Sequence, residues 1–235
     1  MSLRLVTWNL QGNRGIDPAA IAAVVSSLRP KLLLCQEVQR RQARGIADSA
    51  GQVVRQWTFK HWPVRQPSEG LATLLAPSSA SVATVDSTTI SRGYWPWQWQ
   101  RRVAQCVSID GLRIVNTHLG TGSDTSERAT QVARILAKWP TVDVVVGDLN
   151  EWDGAALDAL RRAGFRDAWA EIAATTPCNT NWSSEDRSVP PDQRLDWVWC
   201  RDAVNIDDAD LGDWRMTARL SDHVPLAVTL SKRVD

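Results

Sequence analysis

The sequence predicts an α/β fold: a four-layered α/β sandwich in which two packed mixed sheets carry helices on their outer faces. Short apolar, β-branched runs alternate with segments of helical periodicity along the 235 residues, as strands and helices do in α/β proteins. A strand, a helix and a second strand recur twice. The first pair of strands ends in Asn9 and Glu37, the second in His118 and Asp148, at intervals of 28 and 30 residues. About thirty residues suit a crossover unit with parallel strands, and parallel strands place their C-terminal ends along one sheet edge. Two sheets packed through their inner faces bring both sets of ends to one rim. A single mixed sheet would hold the same elements, and the pattern alone leaves that alternative open.

The first apolar run, residues 3–8, reads as a strand ending in Asn9. Asp17-Pro18 supplies an N-cap and a first-turn proline, and Ile21, Val24, Val25 and Leu28 keep helical spacing as far as Pro30. Residues 32–35 form a short buried strand followed by Gln36-Glu37. Residues 38–50, with arginines at 40, 41 and 44, read as a helix closed by Gly51. Strands over 71–76, 81–90 and 103–109 follow, interrupted by Pro77 and by Tyr94-Trp95-Pro96-Trp97-Gln98-Trp99. Gly111 turns the chain into a strand over 112–117 that ends in His118. Residues 124–139 are helical, with Val132, Ile135 and Leu136 on one face, and Pro140 stops them. The strand over 142–147 contains Val144, Val145 and Val146, the continuous apolar run of a strand buried on both faces. It closes on Asp148-Leu149-Asn150, and period-two alternation sets Asp148 and Asn150 on the same side, as a hard-cation or water-positioning pair. Asp153 is expected to cap a helix through Arg162, with Gly164 at its end. Residues 175–193 are polar and proline-bearing, a loop of a length uncommon unless functional. Strands over 195–200 and 224–230 flank an acidic segment and Ser221-Asp222-His223.

No composition shift or flexible linker divides the chain, so a single domain over 1–235 is expected, and a monomer. The 27 basic and 26 acidic residues nearly cancel, which excludes a strong overall field for nucleic acid or acidic membranes but permits a local basic patch. The N-terminus runs straight into a strand-like segment without a charged leader or apolar signal core, and no apolar run reaches the roughly 18 residues of a spanning helix. A soluble, cytoplasmic protein is the expectation. Cys35, Cys106, Cys178 and Cys200 are too far apart for a Cys-x-x-Cys zinc site, and buried reduced thiols are favoured over an incidental disulfide. Thirteen tryptophans against two phenylalanines and one tyrosine point to large aromatic core contributions plus some exposed stacking surface.

The polar residues at the strand ends are Asn9, Glu37, His118, Asp148 and Asn150, joined by Asp196 at the start of one late strand and Asp222-His223 before the other. They offer carboxylates, amides and imidazoles but no thiolate. Oxygen-dominated ligation points to Mg²⁺, with Mn²⁺ or Ca²⁺ as alternatives, rather than structural zinc. Mg²⁺ commonly uses one or two protein carboxylates and keeps its other positions for water and phosphate oxygens, so a phosphate ester is the implied substrate.

Trp8-Asn9, Gln36-Glu37, Asn116-Thr117-His118-Leu119, Gly147-Asp148-Leu149-Asn150, Arg194-Leu195-Asp196-Trp197 and Ser221-Asp222-His223 together resemble the motifs of the endonuclease/exonuclease/phosphatase superfamily, in order and spacing. The resemblance spans residue 5 to about 230. Each motif alone is weak; six in order are specific. The superfamily comprises DNase I-like metal-dependent phosphohydrolases, including abasic-site nucleases, sphingomyelinases, inositol phosphatases and deadenylases. The resemblance implies that Glu37 is the principal metal carboxylate, with Asn9 as a further metal or phosphate-site ligand and Asp222 near the metal directly or through water. It implies that Asp148 orients and deprotonates the attacking water with help from Asn150, that His223 is the catalytic histidine polarised by Asp196, and that His118 binds phosphate. Whether His223 acts as a base or stabilises phosphate stays open. A carboxylate beside a histidine raises the imidazole pKa and favours its charged form.

The substrate is less legible. Gln11 stands where some abasic-site nucleases carry an acidic residue, which disfavours that subgroup. Arg101 and Arg102 at the mouth of the strand over 103–109, and Arg40, Arg41 and Arg44 after Glu37, are candidate phosphate contacts, although a helix bearing three arginines is usually a solvated face. The Trp95–Trp99 segment, with Trp99 next to the arginines, suits burial of one strand face, base stacking or peripheral contact with a lipid interface. Trp182 in the long loop is a further candidate lining residue. The expected activity is Mg²⁺-dependent phosphodiester hydrolysis with nucleic acid favoured over a lipid or small phosphate ester. A non-catalytic binding protein of the same fold is the remaining class, disfavoured because every expected catalytic position is filled.

Overall fold

The computed structural model describes residues 2–12, 15–59, 69–91, 101–121, 125–173 and 175–233. The first half runs β1 (Ser2–Asn9), α1 (Pro18–Leu28), β2 (Leu32–Gln39), α2 (Arg40–Ala50), β3 (Val53–Phe59), β4 (Glu69–Leu75), α3 (Pro77–Ala80), β5 (Thr84–Thr89) and β6 (Val103–Ile109). The second runs β7 (Leu112–His118), α4 (Thr125–Lys138), β8 (Val144–Asp148), α5 (Ala155–Arg162), β9 (Phe165–Asp167), α6 (Ala168–Ile172), β10 (Asp196–Arg201), β11 (Val204–Leu211), α7 (Trp214–Thr217) and β12 (Leu226–Lys232). Two six-stranded mixed sheets result, ordered β11-β12-β1-β2-β4-β3 and β5-β6-β7-β8-β10-β9. The two expected crossover units are present: β1 pairs parallel with β2, and β7 with β8.

Strand alternation builds the layers. Leu32 and Leu34 of β2 meet Val144 and Val146 of β8 in the cluster between the sheets. Leu33 and Cys35 turn the other way, onto Ile21, Val24 and Val25 of α1 and Ile46 of α2. Val145 likewise faces outward, onto Val132 and Ile135 of α4 and Leu157 and Leu160 of α5. This accounts for the absence of polar alternation in the central strands, which have apolar neighbours on both faces. Asp17 caps α1 as expected, accepting from the backbone N–H of Ala19 at 3.0 Å, and Gly51 closes α2 in a left-handed conformation. The four cysteines are free and buried.

Several boundaries differ from expectation. Val38 and Gln39 complete β2 after a bulge, so the expected helix over 38–50 begins at Arg40. The strand expected over 81–90 is shortened to β5 because Pro77 opens a helical turn first. β3 and β11 were not expected as strands. Both are sheet edges, half open to solvent, so they lack an apolar alternation and β11 reads as an acidic segment. The short β9 and α6 were also missed. Asp153 does not cap α5, which begins after Gly154 with no side-chain cap from that residue; instead Glu151 Oε1 accepts from the backbone N–H of Ala156 at 3.2 Å. The Trp95–Trp99 segment and the start of the expected helix at Asp124 lie outside the described residues. No helix among the described residues is long and apolar enough to cross a membrane.

Candidate active site

The rim of the sandwich takes its shape from register. β10 runs antiparallel to β8 with Asp196 opposite Asp148, and β7 runs parallel to β8 with His118 opposite Asp148. Asp148 is therefore flanked by a carboxylate on one side and an imidazole on the other within one sheet. From the other sheet, β1 ends in Asn9 and the turn before β12 brings in His223, because β12 pairs antiparallel with β1. The indole N–H of Trp8 donates to the His223 carbonyl at 2.8 Å, and the Ser221 hydroxyl donates to the Asn9 carbonyl at 2.6 Å. Those bonds fix the His223 turn against β1.

Asp148 is almost fully buried and sits at the centre of the cluster. Its Oδ2 accepts from Asn9 Nδ2 at 2.9 Å and lies 3.4 Å from His118 Nε2 and 3.8 Å from His223 Nε2. Its Oδ1 accepts from the backbone N–H of Asn150 at 2.9 Å. Asn150 holds a left-handed backbone, φ 51°, which curls its N–H back toward that carboxylate. Its amide donates to the Leu119 carbonyl at 3.0 Å, tying the ends of β7 and β8 together.

Behind His223, Asp196 Oδ2 is 2.7 Å from Nδ1, and both residues are buried. Burial pulls the His223 pKa down, but the charge and hydrogen bond of Asp196, followed by the charges of Asp148 and Asp222, outweigh it and lift the imidazole to about 10. Burial pushes the Asp148 carboxyl up, and the charge of Asp196 adds to that, while His223 and the bonds from Asn9 and Asn150 oppose it; the result is about 6. Near neutral pH the cluster therefore holds a carboxylate facing an imidazolium. Asp222 lies on the same turn, its carbonyl accepting from the N–H of Trp182 at 3.2 Å and from Asn181 Nδ2 at 3.1 Å.

Glu37 reaches the rim by a different device. The register of β2 against β4 shifts between Cys35 and Val38, and Glu37 itself adopts φ 50°, a conformation uncommon outside glycine, asparagine and aspartate. The bulge aims its carboxylate toward His118, with Oε1 3.7 Å from Nδ1, and leaves its side chain 21% exposed where that of Asp148 is 2% exposed. Among the described residues no group of three or more His, Cys, Asp or Glu side chains is placed to hold a metal ion by itself. One accessible carboxylate with nearby amide oxygen is a donor set that fits Mg²⁺, which keeps much of its hydration shell, and does not fit a closed zinc site.

The remaining expected residues are distributed unevenly. Arg102 is buried, with its guanidinium pKa pulled down by burial and pushed up by Asp148 and Glu37, so it belongs to this cluster. Arg101 is exposed and donates to the Thr89 hydroxyl at 2.8 Å, on the β5 side. Trp182 is buried behind the His223 turn, its N–H donating to the Val189 carbonyl at 2.7 Å and its ring packed edge-on to Trp214. Trp99 lies outside the described residues.

Sequence reasoning overlooked the polar bridge beneath the rim. Gln36 Nε2 donates to Thr7 Oγ1 at 2.9 Å in its own sheet and to Asn116 Oδ1 at 2.7 Å in the other; all three residues are fully buried. A buried amide that bonds across both sheets fixes their relative position just below the site. Each amide directly follows an apolar run, Gln36 after residues 32–35 and Asn116 after residues 114–115, which marks them as strand ends but not as partners.

A two-sheet sandwich with such a polar rim is the architecture of DNase I-like proteins. The chain belongs to the endonuclease/exonuclease/phosphatase family, whose profile matches residues 6–223; members of the family are generally hydrolases of phosphoric esters that use divalent metal ions. Solved structures agree in fold. An endonuclease/exonuclease/phosphatase from Beutenbergia cavernae superposes with a TM-score of 0.75 at 20% identity, over 98% of this chain and 72% of that one. A functionally unknown conserved protein from Enterococcus faecalis gives 0.79 at 17%, over 98% and 100%. TDP2 of D. rerio, complexed with single strand DNA product, gives 0.72 at 17%, over 98% and 99%. No curated protein matches the sequence.

Proposed function

We propose that this chain is a divalent-metal-dependent phosphodiesterase acting on nucleic acid, with Asp148 directing the attacking water. The observation that carries the reading is the environment of Asp148: a buried carboxylate with a pKa of about 6, its Oδ1 held by the Asn150 N–H and its Oδ2 by Asn9. A carboxylate so held is ionised near neutral pH and oriented to accept a proton from water. His223, protonated up to about pH 10, serves as a cation rather than a base, offsetting charge that grows on the phosphoryl oxygens in the transition state. Asp196 keeps it protonated and fixes its ring. His118, set between Glu37 and Asp148, and Arg102 bind the same phosphate, and Asn150 adds its amide. Glu37 and Asn9, with Asp222 close by, would hold Mg²⁺, which supplies Lewis-acid polarisation of a phosphoryl oxygen. The D. rerio TDP2 complex with single strand DNA product supports the nucleic-acid preference by likeness of fold.

Hydrolysis of bis(p-nitrophenyl) phosphate with and without Mg²⁺, in wild type and Asp148→Ala, tests the chemistry. Turnover confined to wild type with metal is expected; equal turnover in both proteins, or none in either, overturns the reading. A panel of abasic duplex, single-stranded DNA, RNA, sphingomyelin and inositol phosphates tests the substrate. Cleavage of the lipid alone would refute the nucleic-acid assignment.

A further inference from the structure

Beside the His223 turn lies a cavity of about 490 Å³ lined by Arg187, Ser188, Trp214, Arg215, Ala218 and Arg219. The chain as a whole carries a net charge of only +1, so three guanidinium groups around one hollow form a local field rather than a general one. Arg187 links the cavity to the turn that carries Asp222 and His223. Arg187 Nη1 donates to the Ser221 carbonyl at 2.7 Å and to the Ala218 carbonyl at 3.1 Å, which pins it against the residues that lead into Asp222 and His223. Its guanidinium also lies over the Trp182 ring, 5.9 Å from the centroid, which helps to fix its position.

Arg215 and Arg219 are exposed, and neither takes part in an ion pair among the described residues. Two carboxylates adjacent in sequence to the lining residues stay charged and offset part of the local field: Asp213, which caps α7 by accepting from the backbone N–H of Arg215 at 2.9 Å, and Asp186, which accepts from the Ser188 N–H and hydroxyl. The half-buried Trp214 ring is buttressed edge-on by Trp182, centroids 6.5 Å apart, with the Arg215 guanidinium 4.6 Å from its centroid. Arginines that follow a backbone beside an aromatic ring are the elements from which single-stranded nucleic acid sites are made, and arginine offers planar, paired donors to phosphate oxygens.

We propose that this cavity is a subsite for a nucleotide flanking the scissile linkage of a single-stranded nucleic-acid substrate. Arg215 and Arg219 take its phosphate and the exposed part of Trp214 takes its base. The inference rests on the phosphodiesterase reading of the neighbouring site and adds to it the strand form of the substrate and the side on which it leaves the cleft. Arg187 ties the cavity to the turn that carries His223.

The test compares wild type with the Arg215→Ala/Arg219→Ala double variant and with Trp214→Ala and Trp214→Phe, after thermal melting has shown each to be folded. Two substrates are used, a short single-stranded DNA oligonucleotide and bis(p-nitrophenyl) phosphate, which is too small to span both sites. Binding of the oligonucleotide is read separately by fluorescence anisotropy in an Asp148→Asn background. The expected result is a drop of about tenfold in the preference for oligonucleotide over small diester in the double variant, carried by KM. The dependence of log affinity on log salt should fall by about 0.7, as for one lost phosphate contact on a single strand. Trp214→Phe should retain most of the preference and Trp214→Ala should lose it. Unchanged oligonucleotide affinity and preference in the double variant would overturn the subsite. Arginine-dependent binding without hydrolysis of either substrate would leave the subsite standing and refute the phosphodiesterase reading instead. Arginine-dependent binding to phosphatidylserine vesicles, with none to the oligonucleotide, would make the cavity a membrane contact and overturn the proposal.

Discussion

Replacing Asp196 by Asn should move the whole pH window of activity toward acid. Asp196 contributes the largest effect that raises His223, through its charge and its 2.7 Å hydrogen bond, and its charge also raises Asp148. The lift of His223 from 6.5 to about 10 is worth about 5 kcal/mol in favour of the imidazolium. Without the Asp196 charge and hydrogen bond, burial, the largest single influence, acts against only the lesser charges of Asp148 and Asp222, and the pKa falls from about 10 toward the ordinary imidazole value of about 6.5. An imidazole with that pKa is about 3% protonated at about pH 8, so kcat/KM there should fall about thirtyfold. Near about pH 6 most of His223 is still charged and Asp148 ionises more readily than in wild type, so the two proteins should approach parity. The acid limb, set by Asp148, should shift downward together with the alkaline limb. Profiles of kcat/KM for bis(p-nitrophenyl) phosphate and an NMR titration of the His223 ring report the two limbs independently. An alkaline limb that stays near 10 in Asp196→Asn would refute the assignment of Asp196 as the group that holds His223 charged.

Gly147→Ala should be severe and Gly111→Ala mild. A Cβ at Gly147, where φ is 131°, would lie 2.0 Å from the Thr117 carbonyl oxygen, whereas one at Gly111 meets nothing within 4 Å. Calorimetry should show Gly147→Ala unfolded or lowered by about 10 °C or more, against a loss of about 1–2 kcal/mol for the left-handed strain at Gly111; equal melting temperatures would show that β7 and β8 do not approach as described. The four buried thiols, with Cys178 raised to about 12 and Cys35 and Cys200 higher still by burial, should resist Ellman's reagent until denaturant is added. Prompt reaction of any of them in the native protein would mean that its strand opens. Chelation should abolish hydrolysis, and Glu37→Gln should raise the Mg²⁺ concentration for half-maximal activity by about tenfold or more; an unchanged Mg²⁺ requirement would remove Glu37 from the metal site.

How far the sequence could be read follows from what each segment buries. Central strands advertise themselves: residues 144–146 are valines because one face meets the inter-sheet core and the other meets α4 and α5. Edge strands do not, so β11 reads as an acidic stretch and β3 leaves no pattern, although both pair over most of their length. The rim was legible because polar residues at the ends of buried strands are costly without partners. The polar members below the rim were not, since Thr7, Gln36 and Asn116 partner one another across the sheets and no local spacing announces a pairing over about eighty residues. Asp153 drew the cap assignment by propensity, while Glu151 won it through a longer side chain already anchored by Arg128 at 2.7 Å.

The buried bridge bears directly on the chemistry. Glu37 and Asn9 stand on one sheet, His118 and Asp148 on the other, so under the proposed roles the distance between the metal carboxylate and the water-directing carboxylate is a distance between sheets. Apolar packing alone would let the sheets slide, because it is non-directional. Hydrogen bonds are directional, and Gln36, immediately before Glu37 in the chain, sends one across to Asn116, whose strand lies next to that of Asp148, and one to Thr7 within its own sheet. Its amide also lies where a Gly147 side chain would stand, with Nε2 3.2 Å from the position of that missing Cβ. Glycine at 147 therefore serves two purposes: it lets β8 approach Thr117, and it leaves room for the amide that locks the sheets. An enzyme whose reaction depends on in-line placement loses rate steeply with misplacement of about 1 Å, which is reason enough for a polar network at a depth where apolar residues would pack as well.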